Sequence, residues 1–342
     1  MVRRPDGPAV LSGYDLAAWV LMGLVLILIL HWRVLPALLS GLLVYELVHL
    51  LAPRFRLVRI SQEQGKLAAV AILAMAIAGL LTLAVLGSVA FFHSETGNVP
   101  ALLQHMANVI DRWRTTLPLW LVGYLPDDLG ELKEITVQWL RDNAGILQHA
   151  GAEAGRVFAH VLIGLGIGAL VALQDAQPCA ELGPLAKALQ QRSARLADAF
   201  RRIVFAQVRI SLLNTVFTGL YLVVGLPLAG VFLPLAKTLI AVTFFAGLVP
   251  IVGNLVSCSM IVVISLSVSM SAALASLVFL LVIHKLEYFM NAHIIGSHIH
   301  ARAWELLIAM LLMEAAFGLG GVIAAPIYYA YIKDELVSQE LI

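Results

Sequence analysis

The chain has 342 residues, of which 61% are hydrophobic and 13% charged, with a formal net charge of +1. An average soluble domain carries roughly 25% charged residues. So apolar a chain is neither disordered nor a nucleic-acid binder, because both need charge, and it suits a soluble enzyme poorly.

Run lengths decide between a large buried core and a membrane protein. Fifteen uncharged residues separate Asp15 from His31, twenty-six run from Leu67 to Phe92, twenty-seven from Ile210 to Ala236, and forty-six from Thr238 to Ile283. A helix rises about 1.5 Å per residue, so about 20 residues cross a hydrocarbon core about 30 Å thick. The pattern predicts an all-α, polytopic membrane protein. Its spans fall near 14–31, 34–52, 67–92, 157–174, 203–225, 228–248, 254–283 and 304–332, eight in all. Arg3 and Arg4 precede the first run as in a signal peptide, but no small-residue cleavage site follows Leu30, so this run reads as a retained span.

Basic loops set the orientation. Arg54, Arg56, Arg59 and Lys66 follow the second span, and Lys187, Arg192, Arg195, Arg201, Arg202 and Arg209 follow the fourth. Short basic loops stay cytoplasmic. Both termini are therefore expected inside, and the segment 93–156, with five Lys/Arg against eight Asp/Glu, outside. Four regions follow: 1–92 with three spans, the outer segment 93–156, 157–202 with the fourth span and a basic cytoplasmic helix, and 203–342. The outer segment carries apolar stripes at helical spacing, Leu102, Leu103, Met106, Ile110 and Trp113, then Leu132, Ile135 and Trp139. They read as two amphipathic helices on the membrane surface, and the basic stretch 178–202 as an interfacial helix near anionic lipid.

Gly164, Gly166 and Gly168 mimic part of a dinucleotide loop, but they lie inside an apolar span with no preceding strand. Close helix packing explains them better. Cys179 and Cys258 form no disulfide framework. His293, His298 and His300 fit no strong metal spacing, and no hydrolase or Walker motif occurs. No enzyme activity, metal or cofactor is expected.

The chemistry-bearing candidates lie in the second half. Helix breakers interrupt two apolar stretches, Leu248-Val249-Pro250-Ile251-Val252-Gly253-Asn254 and Phe317-Gly318-Leu319-Gly320-Gly321 with Pro326. They predict broken helices or re-entrant hairpins, whose freed backbone groups must be met inside protein or against a watery cavity. Paired breaks of this kind point to a transporter's substrate site. Asn214, Asn254 and Glu287 add polar groups. Glu314, one turn before the glycine cluster, is expected to face the interior as a solute contact or proton carrier. Glu46 has His49 on its next turn as the simplest partner. The candidate path is thus Asn214, Pro250, Gly253, Asn254, Glu287, Glu314, Gly318, Gly320, Gly321 and Pro326.

These motifs, with Leu286-Glu287-Tyr288 and Ile294-Ile295-Gly296 between them, resemble the AI-2E family of bacterial inner-membrane proteins, the autoinducer-2 exporter-like or PerM-type permeases. The specific motifs span about residues 200–335, and the layout agrees over most of the chain. Ala292 and Ala303 stand where the family often has proline, which marks a subgroup. The resemblance implies eight spans, export of a small polar solute such as autoinducer-2, proton-driven or passive energetics, and a homo-oligomer such as a pentamer. It leaves a sodium or lithium/proton antiporter as one alternative. A membrane scaffold without transport is another, supported by the amphipathic outer pair and the basic inner helix.

Overall fold

The computed structural model describes residues 13–55, 62–93, 129–174, 182–248, 252–266, 268–294 and 303–339, and among them every regular element is helical. Helix α1 (Gly13–His31) reverses into α2 (Leu35–Phe55) through Arg33, whose φ of 58° is left-handed. The turn is closed by Arg33 N–H to the Leu30 carbonyl and Val34 N–H to the Ile29 carbonyl. Helices α3 (Gln62–His93), α4 (Leu129–Asp142) and α5 (Ala144–Gln174) follow. The boundary expected at residue 156 falls inside α5. On α4, Ile135 and Trp139 are both exposed, whereas the stripe at 102–113 lies outside the described residues.

Small residues bring α2 and α5 together. A Cβ on Gly164 would sit 2.1 Å from the Ala37 carbonyl oxygen, and one on Gly168 2.2 Å from that of Gly41. Gly166, on the other face, has open space. Ser40 Oγ donates to the Val161 carbonyl across the same seam at 3.0 Å. This is the small-residue packing expected of the glycine cluster, and such close approach is what holds helices together where lipid removes the hydrophobic incentive.

The basic stretch and the fifth span form one element. Helix α6 (Pro184–Leu220) is 37 residues long, opens with Pro184 in its first turn, and runs through the boundary expected at residue 202. Its length of about 55 Å exceeds the hydrocarbon thickness of a bilayer. It continues into a wide π-helical turn, Tyr221–Gly225. Pro227 accounts for that turn, because proline offers no N–H to the carbonyl four residues earlier and crowds it.

The forty-six-residue uncharged run is divided among three helices: most of α7 (Ala236–Gly247), all of α8 (Val252–Leu266), and α9 (Met270–Ile294) as far as Ile283. The second division was not anticipated. Ser269 Oγ accepts the Ala272 N–H and starts α9, a serine acting as an N-cap. Helices α10 (Ala303–Phe317) and α11 (Leu319–Ser338) close the chain.

Among the described residues, four helices are long and apolar enough to cross a membrane, α1, α2, α5 and α6 with its extension to Leu228. The expected count of about eight spans is not reached among the described residues. Three of the later helices are shorter pieces, α7, α8 and α10 with 12, 15 and 15 residues, and α7 reaches about 18 Å.

Helix α6 is the axis of the bundle. Its charged first half packs with α1, α2 and α11 around Met22, Leu26, Leu35, Phe200, Ile327 and Tyr328. Its apolar end and extension pack with α7, α8 and α9 around Leu222, Leu226, Leu239, Ile261 and Leu280. A third core, Val44, Val48, Ala69 and Ala172, joins α2, α3 and α5.

Ion pairs fix the first of these contacts. Arg192, only 2% exposed, reaches Asp15 at 3.2 Å. Arg195 reaches Glu335 at 2.5 Å, Arg202 pairs with Asp334, and Arg201 lies 3.9 Å from Glu46. The basic stretch thus turns four of its arginines onto α1, α2 and α11. His49 Nδ1 bonds the Tyr45 carbonyl, and Glu46 has Arg201 of α6 as an ion-pair partner in addition to its neighbour His49 on its own helix.

Candidate functional site

At the first break α7 ends and α8 begins close against it, and polar side chains of α6 hold the end of α7. A helix ends with four carbonyls that have no partner within it. Gln207 Nε2 donates to the Gly247 carbonyl at 2.7 Å, and Ser211 Oγ to the Phe244 carbonyl at 2.6 Å. Two of the last carbonyls of α7 are thereby met from α6. The contact tolerates nothing larger than glycine: a Cβ on Gly253 would lie 1.7 Å from the Ala246 carbonyl oxygen, and one on Gly247 2.7 Å from Ser211 Oγ. Asn214 Nδ2 donates to Asn254 Oδ1 at 3.4 Å, so these two candidates are brought together. Pro250 lies outside the described residues, and Glu287 lies in α9.

Further along, the same interior stays polar. Thr215 Oγ1 donates to the Ser211 carbonyl, Thr243 Oγ1 to the Leu239 carbonyl and Ser257 Oγ to the Asn254 carbonyl. The Tyr221 hydroxyl meets Ser276 Oγ at 3.0 Å, and Ser276 meets Ser265 at 2.7 Å. Thr218, 1% exposed, holds a hydroxyl with no hydrogen-bond partner among the described residues. From Gln207 to Tyr221 this seam follows α6 for about 21 Å. The side chains that form it are all neutral. Gln207, Ser211, Thr218, Tyr221, Thr243, Ser257, Ser265 and Ser276 were not among the sequence candidates. A signal existed: Ser211, Asn214 and Thr218 recur at the spacing of one helical face.

The second break differs in kind. Gly318 adopts φ 62° and ψ −145°, and the chain reverses there. Gly321 takes the place against α10, where a Cβ would lie 1.9 Å from the Met313 carbonyl oxygen. Met310 packs with Val322 and Ala325, while Lys333 Nζ donates to Glu305 Oε2 at 2.8 Å and the Tyr329 hydroxyl bonds the same oxygen. These pairs run in opposite chain directions, so α10 and α11 are an antiparallel hairpin. A Cβ on Gly320 would lie 4.0 Å from Leu35 Cδ2, and Pro326 is buried within α11.

Glu314 is exposed and does not turn toward the interior. The side of α10 that meets α11 and the core is taken by Met310, Met313 and Phe317. The two breaks therefore have different surroundings, a polar seam at the first and apolar, glycine-packed contacts at the second. No group of three metal-ligating side chains occurs among the described residues. His293 lies in α9, and His298 and His300 fall outside them.

Comparison with family models, with curated proteins and with solved structures finds no match to the chain.

Proposed function

We propose that the chain is a secondary transporter that exports a small polar, autoinducer-2-like solute across a bacterial inner membrane, with both termini cytoplasmic and several copies assembled together. The observation that supports this is the seam on α6, α7, α8 and α9. An apolar bundle keeps a row of neutral hydrogen-bonding side chains at a helix break, with one buried hydroxyl unmet. Polar groups inside membrane helices are costly and mark solute pathways. Half-helices ending near such groups are the usual architecture of a transport site.

In this reading α7 and α8 rock against α6. The solute exchanges hydrogen bonds with Asn214, Asn254 and Thr218 as the seam opens first to one side and then to the other. The neutrality of the seam favours an uncharged hydroxylated solute over a cation. Monovalent cation/proton exchange would need a carboxylate there, whereas Glu314 is exposed and the buried acid Glu46 stands on α2.

The test is flux of a hydroxylated solute in vesicles containing the purified protein. Asn214→Leu and Asn254→Leu are each expected to cut the rate at least tenfold while the protein stays folded. Wild-type rates in both variants would remove the seam from the path.

A second reading, a membrane scaffold without transport, is favoured by one observation. Gln207 and Ser211 make their hydrogen bonds within the bundle, as purely structural groups do. It predicts no flux of any solute tried and a loss of thermal stability in Ser211→Ala.

A further inference from the structure

A second feature lies on the other side of α6. Between α1 and the α10–α11 hairpin runs a cavity of about 350 Å³. Its walls are apolar, with Gly23, Ile27 and Leu30 on one side and Phe317, Tyr328 and Ile332 on the other. From Trp19 to Leu30 it follows α1 for about 16 Å.

One end is different. Glu335 lines the cavity there and is only 5% exposed. Its Oε2 accepts from Trp19 Nε1 at 3.1 Å and from Arg195 at 2.5 Å. Its Oε1 is buried and has no donor within hydrogen-bond geometry among the described residues, with the Tyr331 hydroxyl the neighbouring donor beside the carboxylate. A buried acceptor left unmet costs about 1–3 kcal/mol. A partly open apolar cavity with a buried, unmet carboxylate oxygen at one end fits a molecule with a long apolar tail and a hydrogen-bond-donating, positively charged head.

We propose that this cavity binds the acyl chain of phosphatidylethanolamine, with the lipid's ammonium donating to Glu335 Oε1. Two observations and the chemistry of the head groups point to the occupant. The outer face of α1 exposes Leu16, Val20 and Leu24 on a helix long enough to cross a membrane, so a lipid chain is the apolar molecule at the opening. The guanidinium of Arg195, with its side chain 31% exposed, lies beside the carboxylate. This plus-and-minus pair complements the phosphate and ammonium of a zwitterionic head. Choline carries the same charge but no N–H, and a glycerol head carries hydroxyls but no positive charge.

The full-length protein in phosphatidylcholine vesicles tests this. Lipids brominated on the acyl chain, with ethanolamine, choline or glycerol heads, are added at equal mole fraction. Trp19 quenching is read as the difference between wild type and Trp19→Phe. Brominated phosphatidylethanolamine is expected to quench Trp19 at least threefold more than either other lipid. Glu335→Gln should bring it down to the choline level. Gly23→Leu should abolish the selective quenching, since a Cβ at Gly23 meets nothing within 4 Å and a longer side chain can fill the cavity. Equal quenching by the three heads overturns the proposal. So does selective quenching that survives Gly23→Leu in protein shown to be folded by circular dichroism. The head-group contrast needs only wild type and Trp19→Phe, and it decides even if Glu335→Gln or Gly23→Leu fails to fold.

Discussion

Gly164 and Gly166 are two positions apart and physically opposite. The first has a carbonyl 2.1 Å from where a Cβ would go, and the second has open space. Gly164→Ala should therefore overpack the α2–α5 seam and destabilise by about 1–3 kcal/mol, while Gly166→Ala should be neutral. Thermal unfolding in detergent, followed by tryptophan emission, separates the two. Ser211 makes a different kind of contact. Removing its hydroxyl leaves the Phe244 carbonyl without this donor inside the bundle. Ser211→Ala should cost about 1–3 kcal/mol, the desolvation penalty of an unmet buried acceptor, and Ser211→Thr should recover part of it. The same measurement reads both variants.

The second-half helices owe their lengths to single residues at their ends. Gly318, with φ 62° and ψ −145°, sits in a region of backbone space that is essentially glycine's alone. Gly318→Ala should strain the α10–α11 hairpin by about 1–3 kcal/mol, visible as a lower melting temperature. Leu235, at φ 59° before α7, holds a left-handed conformation without glycine's freedom, at a cost of roughly 1–2 kcal/mol. Leu235→Gly relieves that cost but adds chain entropy, so its net effect should be small. Hydrogen exchange at the first turn of α7 would show whether the cap has loosened. The breaks themselves were legible, because proline and glycine interrupted apolar runs. The start of α9 was not. Serine is common in membrane helices, and only the bond from Ala272 to Ser269 identifies a cap.

At the scale of the molecule, α6 joins two unlike halves. Its first half is tied by Arg192, Arg195 and Arg202 to α1 and α11, and its apolar end carries α7, α8 and α9. The orientation drawn from basic loops has a direct check. A fluorescent protein fused after Ile342 should glow in intact cells, whereas alkaline phosphatase inserted after Asn143 should be active. Silent phosphatase at that position would invert the topology. The regional boundaries at 156 and 202 came from changes in composition, and both fall inside continuous helices. Composition reports where polarity changes. It does not report where backbone hydrogen bonding stops, and in α5 and α6 the two do not coincide.

The helical class, the apolar character and the two glycine–proline interruptions are properties of neighbouring residues, so periodicity and run length were enough to find them. The pairing of Asn214 with Asn254 depends on residues forty positions apart, and that of Glu335 with Trp19 on residues more than three hundred apart. Which face of α10 is covered, and so the outward place of Glu314, also depends on how remote helices pack. No local pattern encodes such distances, and only the folded bundle brings these groups within reach of one another.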